Sequence, residues 1–310
     1  MPSPTLCPAC GGPLAWWREV RSSEPKLADV RYALRRCVDC GTAVTDGPTA
    51  DLHDSGAFRA GTPRLHVLAR PLLARFDAQR LDLLGRLAGP GARVLDAGAG
   101  QGRFVAAARR AGYDAQGLEP SRRGIERGAA RGVPLIPARI EQAAIEHGSL
   151  DAVSLWHVLE HLASPAAALA RIAAWLAPGG GLLLGVPNLG SWQAHLGAAR
   201  WFHLDVPRHR THFTVAGVTS LLGRAGFAPV AIHHRLLEHN PYGMWQTAVN
   251  LATERPSYLY NLLKRNAPAS AGDLAITVGA LALAPVAMLA ELLAGLAGRG
   301  GTIAVLARRV

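Results

Sequence analysis

The chain has 310 residues, a formal net charge of +11 and a hydrophobic content of 49%. This apolar fraction excludes a disordered chain, and the length allows one large domain or two smaller ones. The basic excess indicates either an Arg-rich soluble surface or a surface for an anionic membrane, nucleic acid or acidic substrate. The first residues lack the charged-then-apolar pattern of a secretory signal, so we expect a cytoplasmic location.

The four cysteines of the sequence form two C-x-x-C pairs, Cys7 with Cys10 and Cys37 with Cys40. Each pair is followed by glycine, and such a turn supplies two thiolates at once, as a tetrahedral Zn²⁺ requires. The alternative is two disulfides or unrelated thiols, and a cytosolic setting disfavours disulfides. The pattern predicts a zinc ribbon over residues 1–45 whose metal is structural, because four thiolates close the coordination sphere.

Two tryptophans between the cysteine pairs, Trp16 and Trp17, are predicted to form the small core of this ribbon. A ribbon of this size needs its metal, because its apolar burial alone is too small. Residues 46–64 are rich in Gly, Pro and Asp and predict a surface linker. Residues 65–87 show helical apolar spacing and predict a helix that contains Arg80.

The following part of the chain alternates predicted strands and helices, as a parallel sheet with crossover helices does. The helices carry start signals such as a serine or threonine cap. The predicted strands cover residues 93–97, 114–119, 133–136, 152–156, 182–186 and 227–233.

The first predicted strand contains Asp96 and leads into a turn with three glycines at alternate positions, among them Gly98 and Gly100. An Ala-rich helical run follows, so bare backbone and a helix N-terminus can both approach a ligand. The spacing departs from the dinucleotide fingerprint, because Arg103 stands where its third glycine would be. The second predicted strand ends at Glu119, and the number of residues between the glycine turn and this acid suits a contact with a ribose.

These motifs resemble motifs I and II of the class I S-adenosylmethionine-dependent methyltransferases. The fourth strand with its exit, residues 150–161, and the Pro-Gly-Gly turn before the fifth strand, residues 176–184, extend the resemblance to the ubiquinone-biosynthesis O-methyltransferases. The resemblance covers roughly residues 69–235 and the last strand.

The resemblance implies an α/β fold, with a Rossmann-like seven-stranded sheet and helices on both faces. The predicted domains are the zinc ribbon, the linker, a cofactor-binding core over residues 65–235, a hydrophobic helical insertion over residues 236–300 and a terminal strand over residues 301–310.

The resemblance also implies S-adenosylmethionine as the cofactor. Asp96, Gly98 and Gly100 are expected to shape the methionine pocket. Glu119 is expected to bind the ribose hydroxyls, since two acceptor oxygens match two adjacent donors.

Two further residues are candidates for cofactor contact. The ubiquinone-pathway enzymes have an Arg-Leu pair at the place of Arg80, and the alternative is an ordinary exposed arginine. Trp156 stands at the exit of the fourth strand, where it would pack beside the adenosine or the sulfonium; the alternative is a core aromatic.

Histidines supply the candidates for proton transfer. His157 follows the fourth strand, where a substrate approaches, and is the first candidate base. Glu160 and His161 share a face with it if the segment is helical. In the resembled enzymes a matching E-x-x-E-H is linked to a divalent metal, but His157 replaces its first acid, so we favour a structural cap.

A second polar cluster occupies residues 200–213, after the fifth strand and on the ligand side of an α/β sheet. It combines three histidines with an aspartate and three arginines. His203 and His209 are therefore further candidates for catalysis. The alternative is a loop that orders its own turns.

The insertion contains an apolar run over residues 274–297 that is long enough to span a membrane. The tail over residues 302–309 predicts a strand that must rejoin the sheet, so we expect no crossing. We expect instead a helical hairpin that packs on the domain, lies in a membrane interface or forms a homodimer contact.

The leading hypothesis is methyl transfer to a small-molecule or lipid-like acceptor, with oxygen favoured. A second hypothesis is an RNA methyltransferase that uses the ribbon and the positive charge. No Asn/Asp-Pro-Pro-aromatic motif follows the fourth strand, so nucleic acid is not the expected partner. A third is a non-catalytic cofactor-binding module, which the intact glycines and Glu119 disfavour.

Overall fold

The structure is a computed structural model that describes residues 4–47, 66–263 and 270–310. Its described strands are β1 (Leu14–Arg21), β2 (Arg31–Cys37), β3 (Ala43–Asp46), β4 (Arg93–Ala97), β5 (Asp114–Leu118), β6 (Leu135–Ile136), β7 (Leu150–Trp156), β8 (Leu176–Pro187), β9 (Thr211–His212), β10 (Phe227–His233) and β11 (Thr302–Arg309). Its described helices are α1 (His66–Gly85), α2 (Arg103–Arg110), α3 (Arg122–Ala129), α4 (Pro165–Trp175), α5 (Trp192–Gly197), α6 (Val215–Arg224), α7 (Asn240–Ala252), α8 (Tyr258–Leu263), α9 (Ala271–Gly279) and α10 (Ala284–Leu296).

The chain forms two compact units. The first unit consists of Met1–Val67, Pro187–Gly217 and His234–Ile303, and the second of Leu68–Val186, Val218–His233 and Ala304–Val310. This division groups the N-terminal cysteine segment with two later segments, whereas the sequence analysis set residues 1–45 apart as a domain. The predicted linker lies outside the described residues except at its first two positions.

The second unit contains a seven-stranded sheet with the order β10-β11-β8-β7-β4-β5-β6. Strands β4 to β8 pair in parallel, and β11 pairs antiparallel with β10. The central strands are runs of buried apolar side chains, as expected for strands covered on both faces. This confirms the predicted class I methyltransferase sheet and the return of the C-terminal tail to it.

One strand is longer than predicted. Strand β8 begins at Leu176, which pairs with Leu150, and the ladder then shifts before Gly181 pairs with Ala152. The Pro-Gly-Gly turn at residues 178–180 is thus accommodated as an irregularity inside the strand. Gly179, with φ at +73°, allows this path.

The first unit contains a four-stranded sheet with the order β1-β2-β3-β9. Its core joins Val20 and Leu34 of the N-terminal segment to Leu189, Trp201 and Leu204 of a segment far along the chain. The N-terminal strands therefore have an apolar core that they share with distant residues.

The prediction that both tryptophans form this core is wrong for one of them. Trp17 packs partly buried against the core, and Arg18 and Arg36 lie over its ring. Trp16 is 65% exposed. A bulge between Trp16 and Arg18 interrupts the alternation of the strand.

The apolar run of the insertion forms α9, a 3₁₀ turn at Ala280–Leu283 and α10. Together they make one helical segment, Ala271–Leu296, hereafter the apolar helix. An 18-residue window within it has a mean hydropathy of 2.0, so by length and composition the segment could cross a membrane. It packs against α7, and the expected hairpin stays a prediction.

Candidate active site

The glycine turn follows β4, which lies between β5 and β7. The chain leaves β4 toward β5 and β6 and later returns to β7 on the other side, so the carboxyl ends of β4 and β7 form the switch point at which open α/β sheets bind ligands. Gly98 has φ at +81°, and a Cβ there would lie 2.3 Å from Val158 Cγ2. Gly100 has φ at +56°, and a Cβ there would meet no atom within 4 Å. Bare backbone therefore borders open space, as a closely approaching ligand requires.

Glu119 lies directly beside this turn. Its Oε2 accepts a hydrogen bond from the Gly100 N–H at 2.8 Å, and its Oε1 accepts one from the Ser121 N–H at 2.9 Å. The side chain is buried. Each carboxylate oxygen has a second lone pair, so the group can hold the turn and still accept from two hydroxyls. This geometry suits the predicted ribose contact.

Arg80 of α1 reaches into the same site. Its guanidinium pairs with Asp96 of β4 and donates to Ser154 Oγ of β7 at 2.6 Å. Its carbon Cζ lies 3.7 Å from the centre of the Phe104 ring and 5.0 Å from that of Trp156. Arg80 is only 8% exposed, which excludes the alternative of an ordinary surface arginine.

Burial and ion pairing act in opposite directions on the carboxyl group of Asp96. Burial raises the pKa of Asp96, and the Arg80 guanidinium opposes that shift. Breaking such a buried pair leaves an uncompensated charge, which is costly. Ser154, which sequence reasoning missed, completes the arrangement; its only signal was a serine within the otherwise apolar residues 152–156.

His157 occupies the turn after β7 in a left-handed conformation with φ at +55°. Its backbone N–H donates to the Gly185 carbonyl at 2.9 Å, and its ring Nδ1 lies 3.1 Å from Glu160 Oε1. Leu159–His161 is a 3₁₀ turn, so the condition under which His157, Glu160 and His161 would share an α-helical face is not met. The contact between the His157 ring and Glu160 therefore joins the left-handed residue after β7 to the middle of this 3₁₀ turn.

The second polar cluster lies in the first unit and is internally bonded. Asp205 accepts from Arg208 at 2.6 Å and from Ser23 Oγ at 2.6 Å. Burial alone would raise the pKa of Asp205, but the positive charges of Arg208 and His209 hold it well below its usual range. His209 Nδ1 lies 2.8 Å from the His203 carbonyl oxygen.

All three histidines of this cluster are buried, and the hydrogen bonds within residues 200–213 order the loop itself. His157 belongs to the second unit, whereas His203 and His209 belong to the first. The catalytic roles of His203 and His209 stay a prediction.

The four cysteines converge in the first unit, with their sulfur atoms all within 4.8 Å of one another. The Sγ atoms of Cys7 and Cys40 are 3.7 Å apart, and those of Cys10 and Cys37 are 3.4 Å apart. All four are free thiols, which excludes the disulfide alternative here. Four sulfurs about 2.3 Å from a tetrahedral Zn²⁺ would lie roughly 3.8 Å apart, so the spacing fits that ion.

Comparison with known proteins gives a family. A family model described as a methyltransferase domain matches residues 69–232. A ubiquinone biosynthesis O-methyltransferase from Caulobacter sp. (strain K31) is 32% identical over 132 residues, which are 40% of this chain and 51% of the relative. The chain therefore matches about half the length of this curated relative.

Solved structures share the fold. A SAM-dependent methyltransferase from Archaeoglobus fulgidus has a TM-score of 0.50 at 17% identity, covering 79% of this chain and 100% of that chain. A [4+2]-cyclase, SpnF, also has a TM-score of 0.50, at 21% identity, covering 75% of this chain and 80% of that chain. The fold alone thus leaves the reaction open. The family model, however, covers more than half of the chain, and the protein therefore belongs to the class I S-adenosylmethionine-dependent methyltransferases.

Proposed function

We propose that the protein transfers a methyl group from S-adenosylmethionine to an oxygen atom of a small or lipid-like acceptor in the cytoplasm. The observation that carries the proposal is the cofactor constellation of the second unit, in which Glu119, Gly98 and Gly100 meet at the carboxyl ends of β4 and β5. The preference for oxygen and a small molecule follows the name of the Caulobacter relative.

Different residues of this site would contact different parts of the cofactor. Glu119 would bind the ribose hydroxyls, and the glycine turn would border the methionine portion. Arg80 and Trp156 would form a wall beside them, because the guanidinium and the indole are already packed together. The bound cofactor supplies an electrophilic methyl group, so the protein has to align the acceptor and exclude water.

An oxygen nucleophile must also lose its proton. His157 is the proposed base, since it follows β7 directly and Glu160 holds its ring. Donation from Nδ1–H to Glu160 makes Nε2 the nitrogen that takes the proton, and the carboxylate stabilises the resulting imidazolium. Glu160 is 1% exposed, so its charge acts in a setting with little screening.

The test follows the label from methyl-labelled S-adenosylmethionine, with total lipid extract or RNA as acceptor. We expect label in ethers of the organic phase. His157→Gln should lower the rate by about 10²–10⁴-fold and leave cofactor affinity unchanged. His147→Gln is the matched control, because this histidine is exposed in the same unit. Label in RNA would contradict the proposal, and no transfer to the lipid extract would contradict a lipid-like acceptor.

We also propose that the four cysteines bind one structural Zn²⁺. The support is their mutual spacing and the Gly12 N–H, which donates to Cys10 Sγ at 3.4 Å. Four thiolates leave no open position for a substrate, so the metal would stabilise the sheet of the first unit without taking part in methyl transfer.

A further inference from the structure

The apolar helix exposes its large apolar side chains and turns its small and polar side chains inward. Every Leu, Ile, Val and Met in Ala271–Leu296 is exposed, from 36% at Ile276 to 64% at Val286. The positions turned inward carry small or polar side chains and recur every three or four residues, namely Asp273, Thr277, Ala280, Ala284, Ala287, Glu291 and Ala294. A helix in water normally does the reverse.

The inward face is fully engaged in the first unit. Ala284 and Ala287 pack against Met244 and Trp245 of α7. Trp245 Nε1 donates to the Ala280 carbonyl at 2.8 Å, at the 3₁₀ turn in the middle of the segment. Helix α7 therefore covers the alanine face of the apolar helix, and the large aliphatic side chains on the other face stay exposed.

Both charged residues of the segment also point inward. Asp273 Oδ1 accepts from the Glu254 N–H at 2.9 Å. The carboxylate of Glu291 accepts from the Gly301 N–H at 2.8 Å and from Gln193 Nε2 at 2.7 Å. The outward face of Ala271–Leu296 consequently carries no charged side chain over about 39 Å of helix.

Residues suited to lipid head groups lie near the two ends of the apolar helix. Arg255 follows Glu254, whose N–H is bonded to Asp273 at the start of the helix. Arg299 follows the helix at its other end and is exposed, and its carbonyl accepts from the N–H of Trp192 at 3.1 Å. Trp192 is 44% exposed. Arginine and tryptophan at the margins of an apolar band are typical of a membrane interface.

We propose that the outward face of the apolar helix binds an anionic lipid bilayer, with the helix lying in the plane of the membrane surface. The hydrogen bonds of Asp273 and Glu291 tie both ends to the first unit, so the helix lies along that unit and does not cross. The net charge of +11 draws the protein to an anionic surface, and the aliphatic face then enters the acyl boundary. This inference does not depend on the reaction.

The test is flotation of the full-length protein with vesicles of phosphatidylcholine alone or mixed with phosphatidylglycerol. We expect binding to the mixed vesicles and release by an alkaline carbonate wash. V286Q/L289Q should lower the partition coefficient by about tenfold or more. L72Q/V230Q is the matched control, since it removes one leucine and one valine of similar exposure elsewhere and should float like the wild type.

Two further measurements separate the alternatives. R255Q/R299Q should weaken binding to the anionic vesicles severalfold, and all variants should keep wild-type affinity for S-adenosylmethionine. Flotation of V286Q/L289Q at the wild-type level would overturn the proposal. Retention that only detergent reverses would overturn it in favour of a membrane span. A wild-type dimer that V286Q/L289Q converts to a monomer, without any flotation, would show that a second copy covers this face.

Discussion

Gly98→Val is expected to abolish S-adenosylmethionine binding, with a loss of affinity of at least about 100-fold in titration calorimetry. The residue has φ at +81°, where an L-amino acid pays roughly 1–2 kcal/mol, and its new Cβ would stand 2.3 Å from Val158 Cγ2. Relief of that clash moves either the glycine turn or the segment after β7. Both border the proposed cofactor site, so the cavity changes shape either way.

Gly91→Val is the matched control for this prediction. Gly91 has φ at +87°, but a Cβ there would meet nothing within 4 Å. The control carries a similar backbone penalty without the clash and should keep cofactor affinity. A Gly91→Val protein that loses binding as completely as Gly98→Val would show that backbone strain, and not the shape of the pocket, accounts for the effect.

A companion change removes the proposed ribose ligand. Glu119→Ala should weaken cofactor binding by roughly 1–3 kcal/mol, because two buried hydroxyls lose a charged partner and Gly100 loses its acceptor. Thermal unfolding followed in parallel separates this loss from misfolding. Unchanged affinity in both Glu119→Ala and Gly98→Val would refute the placement of the pocket.

The second large effect concerns the metal. Freshly reduced protein should contain about one equivalent of Zn²⁺, and Cys37→Ser should lose it and unfold the four-stranded sheet. Structural zinc sites contribute an apparent 10–16 kcal/mol in small peptides, about as much as the whole stability of a domain. Cys37 is buried at the end of β2, so its loss acts directly on that sheet. Elemental analysis and circular dichroism measure both consequences.

The neighbouring residue supplies the control. Val38 is 65% exposed and offers no ligand, so Val38→Ser should retain the metal and the fold. Cofactor binding should partly survive in Cys37→Ser, because the proposed cofactor residues belong to the second unit. Absence of metal in the reduced wild type, or a full equivalent in Cys37→Ser, would contradict the assignment.

Much of the proposed cofactor site rests on signals that are local in the sequence. The strand β4, the glycine turn and the acid after β5 follow one another over fewer than thirty residues, and the chemistry of each is set by residue type and spacing. The state of Arg80 was not predictable in this way. Its burial depends on Asp96 and Ser154, which approach it from two other elements.

The α/β class, the order of the strands along the chain, the paired cysteines and the apolar character of residues 274–297 could all be predicted from the sequence, since periodicity and composition are properties of neighbouring residues. Which faces of these elements are covered could not be predicted in this way. Trp17 is partly buried while Trp16 is exposed, and the apolar helix turns alanines toward α7 and leucines outward. Burial depends on which distant segment packs against a side chain, and spacing along the chain does not specify that partner.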